Sequence, residues 1–112
     1  MITLRMPFQV GPFIKEREVD FIFKIGTLED ACEDILKCDL DEVEKKDAND
    51  VNIAILYAGY NLASEKKRKR NKYSIHHAAF WMEHMSKESQ GMFLKAVQDV
   101  IGKYQGKGEK KK

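Results

Sequence analysis

With 112 residues, 43% of them hydrophobic and 34% charged, the chain has the length and composition of one globular domain, which excludes general disorder and leaves no room for two ordinary domains. Folding at this length buries roughly two thirds of the unfolded surface, enough for a core without metals or disulfides. The net charge of +2 is small but unevenly spread: acids crowd residues 29–50, whereas Lys66, Lys67, Arg68, Lys69, Arg70 and Lys72 form a basic run.

Ile2, Leu4, Met6, Phe8 and Val10 are apolar at every second position, the period of a strand that buries one face. Pro7 has no N–H for a ladder, so this strand is expected at an edge or interrupted there. Gly11 and Pro12 mark a turn, and Val19, Phe21, Phe23 and Ile25 predict a second strand over residues 17–25. The result is an N-terminal β-hairpin over about residues 2–25. A lone hairpin is marginal in water, so its apolar face must lie on helices.

Gly26 breaks the second strand, and Thr27, followed by Glu29 and Asp30, is a suitable N-cap for a first helix. Leu28, Ala31, Cys32, Ile35 and Leu36 form one stripe of that helix, which should stop near Cys38 and Asp39. Residues 39–50 read as a charged loop with a short helical turn. From Val51 to Ala63 the apolar residues cover most of a helix's circumference, as in a central helix covered by its neighbours. Residues 66–72 form a polar connector. Ser74 caps a third helix with Ile75, Ala78, Ala79, Met82 and Met85 inside, and Ser86 caps a fourth carrying Phe93, Val97, Val100 or Ile101, and Tyr104. Residues 106–112 have nothing to bury and read as a flexible basic tail. The predicted fold is α+β, mostly α: a hairpin packed on a compact bundle of about four helices, one domain over residues 1–105.

The chemistry of an enzyme is missing from the sequence. His77 and His84 share a helix face but lie about 10.5 Å apart along the axis, too far for one zinc ion. His76 and His77 diverge by about 100° around the helix. Cys32 sits on an apolar stripe, and the acidic neighbourhood of Cys38, with Asp39, Asp41 and Glu42, should discourage a thiolate. Two cysteines are too few for a disulfide framework or a zinc knuckle, which suggests a reduced, intracellular protein. No P-loop, GxSxG, HExxH or dinucleotide fingerprint occurs. The N-terminus lacks the pattern of a signal peptide, and no apolar run reaches the ~18 residues of a membrane span. No catalytic residue, cofactor or metal is therefore expected.

The basic run, Lys66, Lys67, Arg68, Lys69, Arg70 and Lys72, allows an alternative: phosphate contacts in a small nucleic-acid-binding protein. Tyr73 alone is aromatic beside it, and cations also suit the negative end of a helix followed by a solvated loop.

The order of features resembles the tail assembly chaperones of long-tailed bacteriophages. The resembling segments are Val19-Asp-Phe-Ile-Phe-Lys-Ile-Gly26 running into a helix at residues 27–36, the central helix around Ile53-Ala-Ile-Leu-Tyr-Ala-Gly-Tyr60, and a capped helix with a tryptophan at residues 73–85. Together they cover about residues 17–104. The resemblance implies a protein of the host cytoplasm that coats the long, aggregation-prone tape measure protein until tail tube subunits assemble around it. It also implies an apolar groove for a helical client, for which Tyr57, Tyr60, Phe80, Trp81 and Met85 are the candidates, since Trp and Tyr anchor interfaces and Met adapts to irregular partners. A head–tail joining or other structural subunit of a phage particle would share this size and fold class. Such chaperone genes often yield a second, longer product by ribosomal slippage, for which the codons of Lys110, Lys111 and Lys112 could supply the slippery run.

Overall fold

The alternation at the N-terminus becomes β1 (Ile2–Val10), which pairs antiparallel with β2 (Phe13–Phe21) in a register from Ile2↔Phe21 to Val10↔Phe13. The structure, a computed structural model, describes residues 1–110, the side chains of Leu40, Glu44 and residues 104–110 excepted. Gly11 has a φ of +59° and precedes Pro12, whose ring holds φ at about −65°; this is the sign pattern of a two-residue type II′ turn. Leu4, Met6, Phe8, Val19 and Phe21 are buried on the inner face.

The second strand is displaced from its predicted position at both ends. It starts at Phe13 because the tight turn lets Phe13 and Ile14 pair with Val10 and Gln9, although the charges that follow hide the strand period. It ends at Phe21 because β1 has no residue left to pair, and the Ile22 N–H donates instead to the Gly59 carbonyl at 3.0 Å. Phe23 leaves the sheet and lies between Phe21, on which it stacks, and Phe93, which it meets edge-to-face, at ring distances of 5.5 and 5.4 Å.

Helix α1 (Ile25–Asp30) starts one turn earlier than the sequence suggests, with Lys24 rather than Thr27 at its N-cap. Thr27 is buried, and its hydroxyl accepts from the Lys24 N–H (3.1 Å) and donates to the Ile22 carbonyl (2.6 Å), pinning the strand-to-helix corner. The helix continues as a π-helical turn, Ala31–Leu36, and ends at Lys37 in the left-handed region. A 3-10 segment, Leu40–Lys45, occupies the charged stretch.

The central helix is α2 (Ala48–Lys66), opened by Asp47, whose carboxylate accepts from the Asn49 N–H at 2.8 Å. It is apolar nearly all round because β2, the α1–π segment and α3 each pack on a different side. Ala54, Ile55, Leu56 and Ala58 are buried, whereas Leu62 is only half-buried. Ser74 caps α3 (Ile75–His84), its Oγ accepting from the His76 N–H at 3.2 Å. Ser86 opens α4 (Lys87–Lys110), accepting from the Ser89 N–H at 3.2 Å, and Ser89 Oγ donates to the Arg5 carbonyl at 2.9 Å, tying α4 to β1. On α4, Phe93, Val97 and Val100 face the core and Ile101 does not. The backbone of α4 runs to Lys110, so residues 106–110, predicted as tail, extend the helix; no proline intervenes, and lysines suit its negative end. Lys111 and Lys112 lie outside the described residues. The architecture is the predicted one, a hairpin followed by four helices. Among the described residues no helix is long and apolar enough to cross a membrane.

Candidate functional site

Three of the five residues expected to meet a partner lie in the core. Trp81 is 0% exposed and meets Phe8, Phe21, Tyr60 and Tyr73 at 5.7–6.0 Å between ring centroids, all near edge-to-face. The reason is a rotation of α3. Two overlapping stripes share this helix, and the side turned inward is Ala78, Trp81 and Met85, not Ile75, Ala79 and Met82. Burying tryptophan removes the most apolar area from water, and the small Ala78 lets α3 approach α2. Trp81 Nε1 has no hydrogen-bond partner, so the indole is held by packing alone. Tyr60 is buried too, and its hydroxyl accepts from the Lys72 N–H (2.7 Å) and the Tyr73 N–H (3.3 Å), fastening the connector to α2. Met85 is also buried. Tyr57 and Phe80 remain half-exposed, with the Phe80 ring 4.4 Å from that of His84.

The basic run is exposed throughout, at Lys66, Lys67, Arg68, Lys69, Arg70 and Lys72. Its start completes α2: Arg68 adopts φ +55°, and the N–H groups of Arg68 and Lys69 donate to the Glu65 and Ser64 carbonyls at 3.0 and 2.9 Å, a Schellman closure with arginine in the glycine position. The run then borders a cleft of about 250 Å³ against β2, where Lys67, Lys69, Arg70 and Lys72 face Glu18 and Asp20. Lys67 pairs with Asp20. The hydrogen bond from Lys67, then that from Thr3, holds the Asp20 carboxyl below its ordinary value. Part of the positive charge is therefore matched within the molecule.

Two apolar exposures went unread in the sequence. Phe13 (67% exposed) and Ile14 (51%) stand at the hairpin tip. On α4, Leu94 (37%) and Ile101 (38%) lie seven residues apart on one face, beside the buried stripe. The tip was missed because Phe13 and Ile14 fall outside the alternation; the flank was visible as apolar residues one step off the Phe93 stripe. The outer edge of β2 is also unpaired, since the sheet has two strands. Lys15 and Arg17 share one side of β2, and Glu16, Glu18 and Asp20 the other. Two such edges paired about a twofold axis would set like charges opposite each other, which guards the edge against its own copy.

Among the described residues, no group of three or more His, Cys, Asp or Glu side chains is placed to hold a metal ion. No protein-family model, curated protein or solved structure matches this chain.

Proposed function

We propose that this chain is a non-enzymatic, cytoplasmic assembly chaperone of a long-tailed bacteriophage that binds the tape measure protein and keeps it soluble until tail tube subunits surround it. The observation that carries protein binding is the flank of α4: Leu94 and Ile101, seven residues apart on one face of the helix, are open to solvent beside the buried Phe93, Val97 and Val100. The client this function implies is a long helix with apolar stripes, the geometry such a flank accepts. Further support comes from the element order: a strand enters a helix, a central apolar helix follows, then a capped helix with Trp81. The nucleic-acid alternative is less well supported, because Asp20 already holds Lys67 and the cleft beside the run carries acids as well as cations.

Co-expression with the proposed client, a phage tape measure protein, tests the proposal. The client is expected in the supernatant with the chain and in the pellet without it. A client that pellets equally in both cases, with no complex recovered, contradicts the proposal. Submicromolar, salt-sensitive binding to DNA or RNA, lost on neutralising Lys69, Arg70 and Lys72, would favour the nucleic-acid reading instead.

A further inference from the structure

The only two cysteines of the sequence come together at the end of the π-helical turn. The Cys32 carbonyl accepts from the Lys37 N–H and, at 3.0 Å, from the Cys38 N–H. At the end of α2 the corresponding closure spans five residues, from Lys69 to Ser64; here it spans six. The difference is the extra residue of a π turn, and it places Cys38 over Cys32. By standard backbone dimensions, one 3.0 Å hydrogen bond keeps the two Cα atoms within about 6.9 Å. Disulfides usually join Cα atoms about 4.4–6.8 Å apart, and beyond about 7 Å the backbone must move, so this limit on the separation lies at the upper end of the bridgeable range. Burial first, then the nearby Cys38 thiol, push the Cys32 thiol up to about 11. Cys32 is buried against the core, whereas Cys38 is half-exposed.

We propose that Cys32 and Cys38 form a thiol–disulfide site, in which a low-molecular-weight disulfide such as oxidised glutathione converts the pair to an intramolecular disulfide clasping the end of the π turn. The exposure difference sets the order of events. Cys38, as the thiolate, attacks one sulfur of the small disulfide; a Cys38–glutathione bond forms and one glutathione thiolate leaves. Cys32 then gives up its proton and attacks the Cys38 sulfur, forming the Cys32–Cys38 bond and expelling the second glutathione. The two protein thiols lose two electrons and two protons, and the small disulfide is reduced to two thiols. The left-handed Lys37 between them is held from both sides once the bond has closed. This site is independent of the client-binding reading.

The test equilibrates the full chain with mixtures of reduced and oxidised glutathione, natively and in urea, then traps it with acid and alkylates it for mass spectrometry. The expected native product is lighter than the reduced chain by two hydrogen atoms, takes up no alkyl group, and yields a peptide linking Cys32 to Cys38. Half-oxidation of the native chain is expected at a ratio of oxidised glutathione to the square of reduced glutathione at least tenfold lower than in urea. Cys32→Ser is expected to accumulate glutathione on Cys38. If that core variant does not fold, the native-against-urea ratio of the wild type decides by itself. A stable glutathione adduct on Cys38 of the native wild type, with Cys32 still reduced, would overturn the proposal. So would a native ratio equal to or above that in urea.

Discussion

Helices α3 and α4 both carry apolar stripes, yet one closes the core and the other leaves apolar side chains in water. The ten residues of α3 fit within the surface offered by β1 and α2, and its stripe delivers Trp81 to the centre of the aromatic cluster. The 24 residues of α4 span about 36 Å and outrun their support, β1 and α1. Phe93, Val97 and Val100 are covered there; Leu94 and Ile101 are not. A short helix capped at its start and set between two elements spends its apolar face on folding. A long helix docked along one line leaves a flank exposed.

The largest expected effect lies on the α3 side of that contrast. Trp81→Ala removes the ring on which Phe8, Phe21, Tyr60 and Tyr73 converge and should cost about 3–5 kcal/mol of stability, read from the urea midpoint. A loss below about 1 kcal/mol would mean that Trp81 is not the centre of the core.

Gly59→Ala is next. By helix propensity it should stabilise α2 by about 1 kcal/mol. A Cβ at Gly59 would stand 2.7 Å from Cε1 of Phe23, a ring fixed between Phe21 and Phe93, and 3.2 Å from the Ile22 carbonyl. The expected outcome is a net loss of about 1–3 kcal/mol. A gain would show that α2 and the strand-to-helix corner are not in close contact.

Asp20→Asn should have the smallest effect on stability, less than about 1 kcal/mol at neutral pH, because the pair with Lys67 is partly solvated. The folded state lowers the Asp20 pKa, so its contribution is complete above the ordinary value of 3.8 and is lost as pH falls through the lowered one. Urea midpoints of wild type and variant should therefore differ at neutral pH and converge in strong acid. A gap that widens in acid would contradict the pairing.

The parts of the fold that were legible in the sequence are those set by local chemistry. The alternation from Ile2 to Val10, the Gly11–Pro12 turn, the all-round apolar α2 and the Ser74 cap all appear as read. What the sequence hid depends on contacts between elements. The end of β2 is decided by where β1 begins and by the Gly59 carbonyl, and the cap of α1 by the bond from Thr27 back to Ile22. The inward side of α3 is a choice between two stripes that only the hairpin and α2 resolve, which is why the sequence sets Ala79 and Met82 inside and Trp81 toward a partner. The exposed flank of α4 was hidden for the same reason: Leu94 and Phe93 are adjacent in sequence, and only the docking of α4 separates them.

The central claim is that the flank of α4 holds a helical client while the aromatic cluster holds the fold. The most direct measurement is the affinity of the wild type and of a Leu94→Ala, Ile101→Ala double variant for a helical segment of the tape measure protein, with thermal unfolding of each chain alongside. Both side chains are more than a third exposed, so each substitution should cost only about 1 kcal/mol and leave the chain folded. Affinity should fall at least tenfold. Equal affinity of the two chains for the client, with both folded, would contradict the claim.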